Sequence, residues 1–377
     1  MLQRLRVAFA ITALVASTSV VVAGVSGASS VGRGVAKAKA LLVAAEKPVT
    51  KFVAPGPAFN ASAAKGKSLF YIDYSSSPAV DEWASVATTV LQSYGVNVTH
   101  INGDASTANF NQAIQEAITQ NASAIMLMGI DPASVAEEVA AAKSANIPVL
   151  LGSSEQVGYP SYPGVVASAT INGVEVGSIL ADWMVARSNG KVDADIITHD
   201  GVLGTAQEVS GIRDQLKALC PKTCKAKAIN LPFAQISGET QLAEGLITGD
   251  PKLNFVVPVY DFELASIQPA VVAAGASKRV QLGSFNALAN ILTLMASGGP
   301  ITADVGSPNG WFGYAIADQV LRVLTGTKPV ANEESPLRLF VPNNVKGLDL
   351  SATSDSGWYG SINFEADYAN LWGSPAS

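Results

Sequence analysis

The sequence is poor in charged residues, in histidine and in cysteine, and these shortages limit what the protein can do. Charged residues make up 14% of the 377 residues, and there are two histidines and two cysteines. Beyond the first few residues no run of lysine and arginine occurs, so a nucleic-acid-binding surface, which needs clustered cations, is not expected. Two cysteines alone cannot complete a zinc site of the usual four ligands. The sequence predicts neither a nucleic-acid partner nor a bound cofactor.

Motifs that carry hydrolytic or phosphate chemistry are also missing. The chain contains no G-x-S-x-G elbow, no H-E-x-x-H helix and no glycine loop of the kind that cradles phosphates. His100 lies in or beside a predicted strand, where a structural role is the simplest interpretation. The pair His199-Asp200, with Glu208 nearby, is the one that suggests a hydrolase, and carboxylate pairs for glycoside cleavage are not excluded by spacing alone. We expect a binding protein rather than an enzyme, with a secreted hydrolase using His199 and Asp200 as an alternative.

What the chain has in abundance is apolar sequence. Hydrophobic residues make up 48% of it, which is typical of a well-buried globular protein. At the amino terminus Arg4 and Arg6 precede an apolar stretch over 7–25, and the small residues Ser26-Gly27-Ala28 follow. This pattern predicts a secretory signal peptide over 1–28 and an extracytoplasmic protein that is secreted, periplasmic or on the cell surface. The alternative is a retained membrane anchor, since the stretch is almost long enough to span a bilayer.

The two cysteines lie close together in the chain. Cys220 and Cys224 are separated by Pro-Lys-Thr. In an exported protein such a pair is typical of a disulfide that clamps a tight turn. A redox-active pair is the alternative, but dithiol catalysts use a two-residue spacing. We predict a structural disulfide whose effect on stability is local, because it closes a very short loop.

From Ser68 onward short apolar runs alternate with segments of helical periodicity. The runs lack strict alternation of polar and apolar residues, which indicates strands buried on both faces of parallel sheets, with helices between them. One helix, over 78–94, carries Trp83 on its apolar face and thus as a core residue. The predicted strands are 68–74, 96–101, 124–128, 147–151, 195–198, 226–231, 255–260, 280–285, 301–306 and 337–341. These are too many for one compact sheet, so we predict an α/β fold of two doubly wound, Rossmann-like lobes.

The segments on either side of this region are predicted to be accessory. Residues 29–65 combine a short helix over 37–45 with several prolines, which predicts a tether and an edge segment that lies on the first lobe. The tail from Ser351 onward contains five aromatic residues, which predicts a docked cover rather than a free end.

Six short motifs in a fixed order carry the most specific information. They are Tyr74-Ser75-Ser76-Ser77-Pro78, Asn146-Ile147-Pro148-Val149-Leu150, Asn172-Gly173-Val174-Glu175-Val176-Gly177, Gly201-Val202-Leu203-Gly204-Thr205-Ala206, Val259-Tyr260-Asp261 and Gly283-Ser284-Phe285-Asn286. Over residues 66–345 this order resembles the type I periplasmic solute-binding proteins of ABC transporters, the ribose- and galactose-binding class. The resemblance implies a monomer that closes on one small molecule, a carbohydrate or another small polar or aromatic compound, and delivers it to an ABC permease.

The same resemblance implies a domain organisation with a three-segment hinge. The lobes implied are 66–169 with 307–340, and 170–306 with 341–377. The hinge crossings implied lie near 168–170, 307–308 and 341–344. In open parallel sheets a ligand lies beyond the carboxyl ends of the strands. The solute is therefore expected in the cleft between the lobes, where hinge closure would trap it.

Candidate ligand-binding residues follow the predicted strands on both sides of this cleft. They offer aromatic faces for stacking, and hydroxyl, amide and carboxylate groups for hydrogen bonds. The candidates are Tyr74, Ser76, Ser77, Ser153, Ser154, Glu155, Glu208, Tyr260, Asp261, Phe285, Asn286, Ser307 and Trp311. Serine, asparagine and aspartate also occur after strands as ordinary turn and cap residues, which is the alternative for each of them.

The chain departs from ribose-like members of the family at two positions. Those members carry an Asp-Arg pair where this chain has Ser153-Ser154, and an arginine near the position of Gln207-Glu208. An arginine fork holds vicinal hydroxyls or a carboxylate, so a neutral polyol, an aromatic-bearing compound or a cationic amine competes here with the sugar that the family implies. The leading prediction is solute capture for an ABC importer. The alternative is a sensor that presents its closed form to a membrane receptor kinase.

Overall fold

The computed structural model describes residues 30–153, 162–330, 333–350 and 357–373. The predicted signal peptide lies outside the described residues. Within the part of the chain that is described, no helix is both long enough and apolar enough to cross a membrane.

Strands and helices alternate along most of the described chain. The strands are β1 (Ser68–Asp73), β2 (Asn97–Asn102), β3 (Ala124–Met128), β4 (Val149–Ser153), β5 (Val165–Thr170), β6 (Asp193–Thr198), β7 (Lys225–Asn230), β8 (Phe255–Pro258), β9 (Gln281–Phe285), β10 (Ile301–Gly306), β11 (Glu333–Glu334) and β12 (Arg338–Phe340). The α-helices are α1 (Ser30–Ala45), α2 (Pro78–Ser93), α3 (Thr107–Thr119), α4 (Ala136–Ser144), α5 (Gly173–Ser188), α6 (Thr205–Leu219), α7 (Glu239–Gly249), α8 (Leu264–Ala273), α9 (Ala289–Ser297), α10 (Asn309–Leu324), α11 (Pro342–Val345) and α12 (Phe364–Trp372). Short 3-10 turns lie at Ala61–Ala64, Pro132–Val135, Phe233–Gly238 and Asp261–Glu263.

The strands form two separate six-stranded sheets, one in each lobe. The order in the first sheet is β11-β5-β4-β3-β1-β2, and all neighbouring strands are parallel. The order in the second is β12-β10-β9-β8-β6-β7, with only β12 antiparallel to its neighbour. The predicted fold class, two doubly wound α/β lobes with parallel central sheets, is confirmed.

Strand β1 illustrates why the sheets are covered on both faces. Its residues are apolar and buried at nearly every position. Leu69 and Tyr71 pack into the cluster that contains α2, whereas Phe70 and Ile72 pack with Phe110 of α3. Because successive strand residues point to opposite faces, a continuous apolar run requires a helix on each side.

Two glycines allow α5 and α6 of the second lobe to pack backbone to backbone. A Cβ atom at Gly177 would lie 2.0 Å from the backbone oxygen of Glu208. A Cβ atom at Gly211 would lie 2.2 Å from the backbone oxygen of Val174. This contact fixes the start of α6, which lies at the carboxyl edge of the second sheet.

The described chain passes between the two sheets at three places. It leaves the first sheet after Thr170 and returns to the first lobe after Gly306, where α10 packs on α2 and β5. The third crossing lies between β11, which pairs with β5, and β12, which pairs with β10. Its predicted position, 341–344, was wrong because Arg338–Phe340 already belongs to the second sheet.

The terminal segments contact both lobes, which differs from the prediction that assigned each to one lobe. Helix α1 packs on α5 and α6 of the second lobe, and the turn at Ala61–Ala64 contacts α10 of the first. The tail has the opposite order: Trp358 accepts a hydrogen bond from Arg338 through its carbonyl oxygen, and α12 then packs on α10. The leader and tail meet at a parallel bridge between Val49 and Gly360.

The two cysteines form a disulfide. Cys220 and Cys224 are joined, with their Cα atoms 5.4 Å apart, in the turn between α6 and β7. This turn lies at the amino end of β7, away from the carboxyl edge where ligands bind in such sheets.

Candidate functional site

The carboxyl edges of the two sheets face each other and enclose a small cavity. The lobes are in contact there, because the Leu203 amide donates to the Gly129 carbonyl oxygen over 3.0 Å and Ile130 forms an antiparallel bridge with Val202. The cavity has a volume of about 40 Å³. It is lined by Tyr74, Ser75, Ser77, Ala79, Val80, Trp83, Met128, Gly129, Val202, Phe233, Tyr260 and Asn286. Since one water needs roughly 10–15 Å³ by this measure, the lobes must separate to admit a larger molecule.

The wall from the first lobe is built on the β1–α2 connection. Tyr74 follows β1 directly, and its ring lies 5.4 Å from that of Phe110. Ser77 caps α2 by accepting from the Val80 amide. Trp83, which was predicted to be a core residue, lines the cavity from the next turn of α2. Its indole still packs as a core residue does, against Phe312 with ring centroids 4.9 Å apart.

The wall from the second lobe is aromatic. Phe233 lies in the turn after β7, and the centroid of its ring is 6.3 Å from that of Tyr74 across the cleft. Tyr260 follows β8, and its ring stacks on the imidazole of His199 at 5.7 Å. His199 also meets the ring of Phe233 edge to face at 5.5 Å. The buried His199 therefore supports both rings of this wall from behind.

Asn286 supplies the polar side chain of the second lobe's wall. It follows β9, is 3% exposed, and has a backbone φ of +134°, a region that residues with a side chain rarely adopt. The backbone amide of Asn286 donates to the carbonyl oxygen of Val305 in β10, which holds this backbone in place.

Buried carboxyl groups lie behind the second lobe's wall. Burial raises the pKa of Glu208 well above its usual value, and nearby Glu263 raises it further. Burial also raises the pKa of Glu239 to about 7. Glu263 accepts a hydrogen bond from His199 Nε2 over 3.0 Å. Burial lowers the pKa of His199, but this hydrogen bond and the charge of Glu263 raise it, and the net shift of the pKa is upward. His199 Nδ1 lies 2.6 Å from the Leu231 carbonyl oxygen, so it donates there.

A second carboxyl pair lies deeper at the same edge. Asp261 and Asp304 are both fully buried, and Asp261 accepts from the Leu288 amide over 2.6 Å. Burial raises the pKa of Asp261 to about 7, and burial together with Asp261 raises that of Asp304 well above its usual value. The upward shift of both pKa values favours a proton held by this pair of carboxyl groups.

The loops that follow the strands carry acids and no lysine or arginine. We call these loops the rim. Within the described residues the rim comprises 74–77, 103–106, 129–131, 171–172, 199–204, 231–232, 259–263, 286–288 and 307–308. Its charged residues are Asp104, Asp131, Asp200, Asp261 and Glu263, with His199 as the one basic side chain in these loops. Asp73 at the end of β1 adds a buried carboxylate, which contacts His100 Nε2.

Four of the thirteen candidate residues line the cavity, namely Tyr74, Ser77, Tyr260 and Asn286. The others that are described lie elsewhere. Ser76 is exposed and donates to Asp81, while Glu208, Asp261, Phe285 and Ser307 are buried and do not line the cavity.

Trp311 is the remaining candidate whose side chain is described. Trp311 lies at the hinge under the terminal segments, with its ring 5.5 Å from Phe52 and 5.2 Å from Phe364, and it does not line the cleft cavity. Ser153 ends β4, but its side chain lies outside the described part of the structure, as do Ser154 and Glu155.

The structure does not bring His199 and Asp200 together as a hydrolytic pair. His199 is wholly buried and bonds to Glu263 and Leu231, whereas Asp200 is exposed and its amide donates to Asn230. Among the described residues, no group of three or more His, Cys, Asp and Glu side chains is arranged to hold a metal ion.

The chain is similar to known proteins in sequence pattern and in fold. Residues 69–328 match the family model of the periplasmic binding protein domain. No curated protein matches the chain in sequence. Among solved structures, a galactofuranose-binding protein is 20% identical, with 74% of this chain and 96% of that chain covered and a TM-score of 0.65.

Two further structures carry bound ligands. An ABC transporter solute-binding protein from Bacillus halodurans with bound myo-inositol is 14% identical, covers 75% of this chain and 97% of its own, and has a TM-score of 0.67. A 5-methylthioribose transporter solute-binding protein from Thermotoga lettingae, in complex with 5-methylthioribose, is 16% identical, covers 76% and 91%, and has a TM-score of 0.67. At these identities the likeness establishes the fold.

Proposed function

Because this chain belongs to the periplasmic binding protein domain family, we propose that it is the extracytoplasmic solute-binding component of an ABC importer. It captures one small molecule between its lobes and delivers the closed complex to a permease in the membrane. The structures it resembles include solute-binding proteins of ABC transporters with myo-inositol and with 5-methylthioribose bound, which supports this role.

The observation that carries the proposal is the construction of the cleft. Residues from both lobes line one cavity, with Tyr74 and Trp83 on one side and Phe233, Tyr260 and Asn286 on the other. A ligand that contacts both walls binds the closed arrangement more tightly than the open one, so binding shifts the population toward closure. Neither wall alone can surround a solute.

The contact between the lobes supports recognition of the closed form by the permease. The hydrogen bond from the Leu203 amide to the Gly129 carbonyl oxygen joins the two rims in the closed form. Leu203 also packs into the first lobe's cluster around Phe110. A permease that reads the relative position of the two lobes would thereby distinguish loaded from empty protein.

The experiment is a thermal-shift screen, followed by small-angle X-ray scattering on each compound that stabilises the protein. The panel consists of sugars, polyols, nucleosides, amines and aromatic acids. We expect at least one compound to raise the melting temperature and to reduce the radius of gyration. A compound that stabilises the protein and is chemically converted would instead support an enzyme.

Site placement is tested with a matched pair of tyrosine variants. Tyr260→Ala removes a ring that lines the cavity, whereas Tyr314→Ala removes a ring that packs against α12 on the far side of α10. We expect Tyr260→Ala to weaken the best ligand on the order of tenfold or more and Tyr314→Ala to leave affinity unchanged. Equal affinities in both variants would reject this cleft as the binding site.

A further inference from the structure

Four aromatic side chains from the two lobes border the cleft cavity. Tyr74 and Trp83 belong to the first lobe, and Phe233 and Tyr260 belong to the second. The rings of Tyr74 and Phe233 meet edge to face at 6.3 Å across the cleft. The face of an aromatic ring carries negative potential and attracts an ammonium group within about 6 Å. Rings contributed from both sides can surround such a group only when the lobes are closed.

Most of the charged groups around these rings are acidic, and the basic His199 behind them is paired with Glu263. The rim has no lysine or arginine among the described residues, and the side chains that line the cavity include no cation. Glu208 and Glu263 lie near the Tyr260 phenol. One oxygen of each of these buried carboxyl groups, Oε1 of Glu208 and Oε2 of Glu263, has no hydrogen-bond partner. A buried acid with a raised pKa can release its proton when a cation binds beside it, so such a group favours a positive guest over a neutral one.

The cavity offers few partners for a molecule rich in hydroxyl groups. Apart from the phenols and the indole, the described side chains that line it supply hydrogen bonds from Ser75, Ser77 and Asn286 alone. The remainder are apolar, including Met128 and Val202. A buried hydroxyl without a partner costs on the order of 1–3 kcal/mol, so a sugar with several hydroxyls is poorly matched to these walls. A compact molecule with methyl or ring carbons and one charged group matches them better.

We propose that the cleft selects small organic cations, either quaternary ammonium compounds or protonated amines with a compact apolar body, in preference to neutral sugars. This inference rests on the proposed function, since it assigns a ligand class to the same cleft. It follows from the joint presence of aromatic rings on both walls, acidic groups behind one of them and no lysine or arginine on the described rim.

The test uses matched pairs of a cation and its neutral isostere. Isothermal titration calorimetry compares choline with 3,3-dimethylbutan-1-ol, and benzyltrimethylammonium with neopentylbenzene, alongside ribose, galactose and myo-inositol. We expect a cation to be the tightest ligand of the set and to bind at least about tenfold more tightly than its isostere. If a neutral sugar binds most tightly, or if the isosteres bind as well as the cations, the ligand class is wrong. Closure around that sugar would leave the proposed function intact.

Two variants separate the contributions of ring and charge. Phe233→Leu keeps an apolar side chain in a partly exposed turn but removes the ring, so cation affinity should fall several-fold while affinity for the neutral isostere stays the same. Glu208→Gln removes a buried acid at constant size, and Glu244→Gln on the exposed face of α7 is its control. We expect Glu208→Gln to weaken cation binding several-fold and Glu244→Gln to have no effect. Parallel losses for cation and isostere in Phe233→Leu would contradict the proposal, whether or not the Glu208 variant folds.

Discussion

Asn286 has two features that are seldom combined in a residue without a binding role. It is buried in the cleft wall, and its backbone has a φ of +134°, which costs an L-residue about 1–3 kcal/mol. Glycine adopts this conformation without strain. We therefore expect Asn286→Gly to keep or raise the melting temperature of the empty protein. We expect the same variant to weaken ligand binding about tenfold, because the side-chain amide is lost. Calorimetric titration and differential scanning calorimetry measure the two effects.

The control for this variant is Asn370→Ala on the exposed face of α12. Both measured quantities should stay at the wild-type value in that variant. A large drop in melting temperature for Asn286→Gly without a change in affinity would make Asn286 a structural residue.

Glu239 makes the free energy of unfolding depend on pH, with lower stability at higher pH. Burial raises the pKa of its carboxyl group from the ordinary value of 4.5 to about 7, so the unfolded chain releases this proton at lower pH than the folded protein does. Stability that is present below about pH 4.5 is therefore lost as the pH rises through 7, by about 3 kcal/mol. Glu239→Gln should remove this loss, so the stability difference between variant and wild type should grow in the variant's favour between pH 4.5 and 7.

Chemical denaturation across this pH range measures that difference, and Glu244→Gln on the same helix is the control. A pH-independent difference for Glu239→Gln would mean that this carboxyl group titrates normally.

At the residue scale the sequence predicted part of the cleft. Tyr74, Ser77, Tyr260 and Asn286 line the cavity because each closely follows a strand at its carboxyl end. Phe233 follows β7 by the same rule, but it carries no polar group that would single it out. Asp261 is next to Tyr260 in the chain and yet points away from the cavity into the lobe, because the chain turns into a 3-10 turn there. Side-chain direction in such a turn cannot be read from residue type.

Helices α5 and α6 of the second lobe approach each other so closely that their backbones are in contact. Gly177 leaves no room for a Cβ atom, which would lie 2.0 Å from a backbone oxygen. Gly177→Ala should therefore lower the free energy of unfolding by about 1–3 kcal/mol or more, because backbone has to shift. Gly245→Ala in α7, where a Cβ atom would meet nothing within 4 Å, should leave stability unchanged or raise it by up to about 1 kcal/mol.

Urea denaturation of the two alanine variants checks this prediction. Equal stabilities would mean that the two helices can separate at little cost. A loss confined to Gly177→Ala would also predict weaker ligand binding, since the start of α6 lies at the cleft edge.

At the scale of elements the sequence was most informative where strands are continuously apolar. β3 and β8 are buried at every position and were predicted nearly to the residue. β5 was missed because the family resemblance placed a hinge crossing near 168–170, and β11 has only two residues. The third crossing was misplaced because β12 pairs antiparallel to β10, and an edge strand of three residues carries no signal for the sheet it joins.

For the whole molecule, the leader and the tail are additions to the two lobes. Phe52 of the leader packs between Trp311 of α10 and Tyr368 of the tail, with ring centroids 5.5 Å and 5.1 Å apart. Arg338 of β12 donates to the carbonyl oxygen of Glu46 in the leader. The segments thus cover the hinge on the side of α10 and connect parts that have to move relative to each other when the lobes separate.

The central claim is that the two lobes separate and close over one solute, and a distance measured between the lobes tests it most directly. Spin labels at Gln112→Cys on α3 and Glu244→Cys on α7 occupy exposed positions, one on each lobe, and leave the native disulfide intact. Pulsed electron paramagnetic resonance then gives the distance distribution with and without the tightest ligand of the panel. We expect a longer and broader distribution for the empty protein and a single shorter distance when the ligand saturates it. An identical distribution in both samples would contradict closure over a solute.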